Sequence, residues 1–411
     1  MPLTVAVIVC VAATRLSAQP LPALTDSLLA RHPGLKALRY EVAAFAKTAE
    51  AAAQLPDLEA GAGFGALPVE TRLGPQVLRV GATQALPWPG VLAARGRVAA
   101  AQAQPAVERA AALALDLRYR LAEAYYALAA DRARLSALDS SRVLYAALER
   151  TALSRVEAGS GSSVDVYRVA LARERLGGRL DGLAAELRGP LARVNALLGR
   201  APLAPVRTPS PEALLTDTLA LPSLPAVDEV LTADHPVLRV FAARQAVAQA
   251  RSELIGLEAR PDFAVGLDYI LTGRRDDANP ERNGRDAVVP RVGVRIPLSR
   301  APYAARREAE ALNALQFAAE LQAAREHLLA EAGGAYAALA SARVQLSTLT
   351  RQRELLAATL RVATVEYAEG RRGFDELLRL NNDLVELRLG VIGARRQLLT
   401  ARARLTKLLA L

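Results

Sequence analysis

Cysteine is almost missing from this 411-residue chain, which has one Cys, one Met, one Trp and three His. That scarcity excludes disulfide frameworks and zinc-finger arrays, both of which need repeated thiol or imidazole groups. Aromatic residues make up only 4%; Ala and Leu dominate, a composition suited to long, closely packed helices rather than an ordinary mixed core. Lysine is scarce as well: only Lys36, Lys47 and Lys407 occur, so arginine carries the net charge of +10. The 52% apolar content excludes disorder. After the N-terminus no stretch of ~18 residues lacks both charge and proline, which argues against an α-helical inner-membrane transporter.

Met1 to Ala18 combines an apolar stretch, Pro2 to Ala13, with a small-residue stop at Ser17-Ala18. This is the pattern of a secretory signal peptide, without the usual basic start; a buried N-terminal helix is the alternative. Cys10 is a poor lipidation signal, because Val9 rather than a small residue precedes it. Cleavage after Ala18 would leave a cysteine-free protein, as suits an envelope protein that needs no disulfides.

The chain repeats itself. His32-Pro33-Gly34-Leu35 recurs as His235-Pro236-Val237-Leu238, and Leu55-Pro56-Asp57-Leu58 as Arg260-Pro261-Asp262-Phe263. Val80-Gly81-Ala82 recurs as Val292-Gly293-Val294. Val156-Glu157-Ala158-Gly159, with Asp165 six residues past the glycine, recurs as Tyr367-Ala368-Glu369-Gly370, with Glu376 six past. Four ordered matches at offsets of roughly 203 to 212 residues imply two copies of one unit. The expected organisation is a signal peptide at 1–18 and a first repeat at 19–199, with a β-hairpin near 57–87 and a helical hairpin near 90–199. A Pro-rich linker follows at 200–234. The second repeat, 235–411, has its β-hairpin near 261–297 and its helical hairpin near 302–409.

Within each unit the hydrophobic period switches from helical to alternating and back. Phe263, Val265, Leu267 and Tyr269 alternate with Asp262, Ala264, Gly266 and Asp268; Val288, Pro290, Val292, Val294 and Ile296 alternate with small or charged residues. Leu58, Ala60, Ala62 and Phe64, then Leu78, Val80 and Ala82, give the first copy the same pattern. Strands of about ten residues with one apolar face meet the need of a transmembrane β-barrel, and they also fit a soluble half-buried hairpin. Pro68 to Gly74 and Gly273 to Arg285 are expected as polar loops. Four strands cannot close a channel, and an open edge in lipid would strand backbone groups, so spanning strands would require oligomerisation.

Gly90 to Ala158 and Pro302 to Glu369 each predict one long helix, of ~100 Å at ~1.5 Å per residue. The second return, Leu377, Leu380, Leu384, Leu387, Val391, Ala394, Leu398, Ala401, Leu405 and Leu408, steps by threes and fours as a heptad seam. The first return keeps such a seam through Leu176, Leu180, Leu183 and Leu187 until Gly189-Pro190. Small Ala at seam positions lets helices approach on more than one side; a plain two-stranded coiled coil is the simpler alternative.

This order of parts resembles the TolC family of outer-membrane efflux ducts, across essentially the whole chain after residue 18. The stretch Gln84-Ala85-Leu86-Pro87-Trp88-Pro89-Gly90 is similar to members that serve metal-ion or drug pumps. The resemblance implies a mainly α protomer with a transmembrane β part. Three copies would share a 12-stranded barrel, four strands each, above a periplasmic tunnel of packed helices. It implies a homotrimer in the outer-membrane lipid that works with a periplasmic adaptor and an inner-membrane pump of RND type. By position, Gly159 and Gly370 resemble the tip glycines that dock the adaptor. Asp165 resembles an acidic residue at the closed entrance, Tyr367 and Arg372 resemble residues whose bonds hold it shut, and Glu376 matches Asp165 in the second copy. Arg379 departs from the pattern, standing where some members carry another acidic residue. The bland alternative is that Asp165, Arg372 and Glu376 are helix-start and surface charges.

Other constellations offer little chemistry. His32 and His235 precede prolines at helix starts and are expected to cap; His327 stands alone; Tyr125-Tyr126 are expected to pack. There is no nucleophile elbow, no phosphate-binding loop and no metal-ligand spacing. Neither catalysis nor a cofactor is expected. Arginine is spread along helices and often sits beside Glu, as in Arg306-Arg307-Glu308, so no nucleic-acid partner is expected. Within the resembled family a type I protein-secretion duct is the alternative, and outside it a secreted coiled-coil protein.

Overall fold

Prolines, glycines and polar caps punctuate the chain where its elements begin and end. The computed structural model describes residues 19–216, 234–278 and 280–411. The expected signal segment and the linker residues 217–233 lie outside the described residues. In chain order the elements are α1 (Leu21–Arg31), α2 (Pro33–Ala52), β1 (Glu59–Thr71), β2 (Gly74–Leu86), α3 (Val91–Glu157), α4 (Ser163–Glu186) and α5 (Arg188–Leu197). A short 3-10 turn at Ala213–Thr216 follows. Then come α6 (Pro236–Glu258), β3 (Asp262–Thr272), β4 (Ala287–Arg295), α7 (Ala301–Ala368) and α8 (Phe374–Leu408). None of the described helices is both long and apolar enough to cross a membrane.

His32 opens α2 by accepting the Gly34 N–H on its Nδ1 at 3.1 Å, and His235 opens α6 by accepting the Val237 N–H at 3.3 Å. Both histidines are caps, satisfying N–H groups that a helix start leaves free. The break in the first return lies at Leu187, two residues before Gly189-Pro190. Pro190 sits in the first turn of α5, where its missing N–H costs nothing.

The described residues form two compact units, and each draws on both sequence repeats. One comprises residues 19–36, 113–216 and 327–411, the other 37–112 and 234–326. In the first unit, α3 and α4 pack against the ends of α7 and α8 through Leu138, Tyr145, Val169, Leu176, Leu360, Tyr367, Leu377 and Leu384. Each such buried side chain contributes about 1.5–3 kcal/mol before entropy is counted. Along α8 the expected seam residues Leu377, Leu384, Val391, Ala394, Ala401, Leu405 and Leu408 are buried. Val385, Ile392 and Leu399 add a second buried row, so α8 is covered on more than one side.

The second unit holds one antiparallel sheet, ordered β1-β2-β3-β4, with β1 and β4 at its edges. Two stretches expected as loops behave differently. The polar segment before β4 is a loop, whereas β1 continues past Pro68 to Thr71 and β2 starts at Gly74, leaving a tight turn. Pairing shifts between Phe64 and Val69, around a proline that has no N–H for the ladder. Pro290, which also lacks an N–H, lies on β4, an edge strand within one chain. Helices α3 and α6 of this unit are joined by Arg95–Glu258 at 3.1 Å and by Arg239–Glu108 at 2.7 Å, where buried Glu108 also accepts from Gln104.

Candidate functional site: hairpin tips and a two-faced sheet

Both helical hairpins turn through the same local geometry. Gly159 and Gly370 have φ of +68° and +77°, a left-handed conformation that glycine adopts without a Cβ penalty. Ser160 N–H donates back to the Arg155 carbonyl at 2.9 Å, and Arg371 N–H to the Glu366 carbonyl at 2.8 Å. The two ends are therefore matching Schellman caps, in which a residue past the glycine reaches back over the last turn. Ser162 then starts α4 by accepting the Val164 N–H, with Asp165 in the first turn.

Corresponding positions carry opposite charges. Arg155 and Glu366 each lie four residues before their glycine. Arg155 crosses between the hairpins: Nη1 donates to the Tyr367 carbonyl at 2.6 Å and Nη2 to the Ser160 carbonyl at 3.0 Å, while its guanidinium lies 4.7 Å over the Tyr367 ring. Glu366 stays local and accepts from Arg372 Nε at 2.6 Å; Arg372 Nη1 also bonds Glu376. The Glu366 hydrogen bond raises the Arg372 pKa and holds that guanidinium protonated. Tyr367 is buried, 5.6 Å from Phe374 of the same chain. Burial, then the nearby Asp165 carboxylate, pushes its phenol pKa up. Asp165 itself lies 3.8 Å from Arg168, which bonds Asp375 more closely at 2.5 Å.

Of the six expected site residues, Gly159, Gly370 and Arg372 lie in the two turns, Asp165 and Glu376 in the first turns of α4 and α8, and Tyr367 in the last turn of α7. Arg372 joins Glu376, and Asp165 lies near Tyr367. The residue missed by sequence reasoning is Arg155. Its charge reversal against Glu366 between the aligned repeats was the available signal.

The sheet separates its chemistry by face. Residues paired across strands run Ala62, Val80, Tyr269, Val288, then Ala82, Leu267, Pro290, then Val265, Val292, then Leu86, Phe263, Val294. This apolar face is exposed, with Val292 and Phe64 each at 76%. On the other face Asp268 of β3 is 2% exposed, bound by Arg79 of β2 at 2.6 Å and by Arg291 of β4 at 3.3 Å. Arg291 also donates to Thr83 at 2.8 Å. Gly81 makes room for this clasp, since a Cβ there would lie 2.0 Å from Asp268 Oδ1. Among the described residues no group of three or more His, Cys, Asp or Glu is placed to hold a metal ion.

Neither a family model nor a curated protein matches the chain. Solved structures do. VceC, an outer membrane protein of Vibrio cholerae, superposes with a TM-score of 0.73 at 16% identity over 95% of each chain. The open state of the Neisseria gonorrhoeae MtrE outer membrane channel gives 0.72 at 16%, covering 95% of this chain and 88% of that one. CusC, described with its transmembrane channel formation, gives 0.75 at 16%, covering 95% and 91%. The fold is that of the outer-membrane channels. This channel fold, with its long helices and its small sheet, agrees with the TolC-like one that the family resemblance implied. Within the channel fold, the matched capping glycines and the alternating strands are the parts that the sequence repeats had marked.

Proposed function

We propose that the protein is an outer-membrane exit duct of a tripartite efflux system, passing metal ions, drugs or other small molecules outward without catalysis of its own. The observation that carries this reading is the sheet of the second unit, whose apolar face is exposed and whose polar face is clasped by charges. An apolar outer face of this kind suits lipid, and the unpaired edges of β1 and β4 must then be closed by other copies. Three protomers of four strands would make a 12-stranded barrel. The channel fold of the similar structures supports the same assembly.

In this reading the tips at Gly159 and Gly370 form the periplasmic entrance, where an adaptor docks and links the duct to an inner-membrane pump of RND type. Asp165, Tyr367, Arg372 and Glu376 belong to the entrance, and the Arg372 bonds to Glu366 and Glu376 stiffen the second tip. Charge pairs at a constriction can be exchanged for partner contacts more readily than a packed core can. The test begins with envelope-expressed protein, separated by density gradient, extracted in detergent and weighed by light scattering. A trimer from the outer membrane is expected, and a soluble monomer or dimer would end the duct reading. In planar bilayers, Arg372→Ser is expected to raise single-channel conductance; unchanged conductance would remove Arg372 from the gate.

A further inference from the structure

Arginine is spread along the helices, but the net excess of positive charge is concentrated. Between Glu331 and Glu366, α7 carries Arg343, Arg351, Arg353 and Arg361 against Glu354 alone. After Glu386 the chain has five arginines and Lys407, and no Asp or Glu. Ten basic residues less one acidic residue leave +9 in these two stretches, out of a total of +10. Part of this charge is tied down: Arg404 reaches Glu331 at 3.3 Å and Lys407 reaches Asp116 at 2.7 Å.

Of the other eight basic residues, four converge on one place in the first unit. A cleft of about 630 Å³ among α3, α7 and α8 is lined by Arg353, Arg361, Arg388 and Arg395, above apolar residues such as Val391. Its one carboxylate, Glu354, lies 3.7 Å from Arg353, and Arg395 is held by Glu212 at 2.8 Å. Arg361 and Arg388 have no ion-pair partner among the described residues. Guanidiniums gathered in this way repel one another, and each presents a planar fork that fits a phosphate or carboxylate through two parallel bonds.

We propose that this cleft binds multivalent oxyanions, of the phosphate or polycarboxylate class. Binding follows from the cleft alone. Its consequence for transport rests on the exit-duct reading, in which the cleft would favour anionic solutes.

The test is calorimetric titration of the detergent-extracted full chain with inorganic triphosphate at low ionic strength. Saturable binding is expected, weakened roughly tenfold or more by Arg361→Gln with Arg388→Gln, and less by Arg388→Lys, which keeps the charge but loses the fork. Arg175→Gln, at an exposed arginine of α4, should leave binding unchanged. Absence of saturable binding overturns the proposal, and so does an equal loss with Arg175→Gln, which would mean bulk charge only. A double variant that keeps its triphosphate affinity but changes the assembly mass would make the cleft a seam between copies, and would also overturn it. If the double variant does not fold by circular dichroism, the Arg388→Lys titration decides. Reversal potentials in a KCl gradient separate the two readings. Protein that binds triphosphate but does not conduct keeps the site and loses the duct, whereas protein that conducts without binding keeps the duct and loses the site.

Discussion

In the sheet, Val292 and Phe64 face outward at 76% exposure while the carboxylate of Asp268 is buried at 2%; in the paired hairpins, Leu377 is buried at 0% while the Asp375 side chain remains 61% exposed. One chain thus contains two regions built on opposite rules. The packed core of the hairpins follows the ordinary rule for water, in which apolar side chains leave the solvent and charges stay in it, although Val143, Leu355 and Tyr167 on the same helices stay exposed at 71%, 71% and 75%. The sheet reverses it, and a charge withdrawn from solvent must then be matched at close range, as Arg79 and Arg291 match Asp268. The contrast teaches that exposure is readable only against the solvent that a surface meets.

The largest effect that would test this contrast comes from truncating the same kind of side chain in each region. Leu377→Ala should cost about 2–5 kcal/mol by leaving a core cavity, while Val292→Ala should stay within about 0.5 kcal/mol. Thermal unfolding in detergent measures both, and equal losses would break the comparison. Next in size, Asp268→Asn should cost about 1–3 kcal/mol, because two arginines lose their shared counter-charge; the same melting curves report it. Arg155→Ala should cost about 1 kcal/mol and loosen both turns together, seen as faster amide exchange at residues 159–162 and 370–373. An effect confined to the first turn would remove Arg155 as a link between hairpins.

The smallest effect concerns Tyr125, which is buried in the first unit and donates to the Gln19 carbonyl at 2.6 Å. Burial pushes its pKa up to about 12, above the ordinary tyrosine value of about 10. The unfolded chain therefore releases this proton first, and stability from Tyr125 is full below about pH 10 and declines as pH rises toward 12. Tyrosinate absorbance should show one phenol ionising last, and Tyr125→Phe should flatten the decline.

Much of the architecture was legible because it depends on near neighbours in the chain. The histidine caps involve residues two apart, the Schellman turns need a glycine, and the α8 seam needs a period of three and four. The extension of β1 past Pro68 was not legible, since an edge strand tolerates a proline only once its neighbours are known. Arg155 was missed for a related reason. Its acceptor is the backbone carbonyl of a residue 212 positions away, and every residue type offers that group.

What the sequence by itself determined is local: element type, caps, turns, the duplication and the alternation of the strands, because short-range sterics and hydrogen bonding act within a few residues. Tertiary structure alone decided the strand register that brings Arg79, Asp268 and Arg291 together. It also decided the crossing of Arg155 to Tyr367 and the convergence of four arginines from two helices on one cleft. The physical reason is that each of these depends on where distant segments come to rest against one another, and no residue's own identity specifies that position.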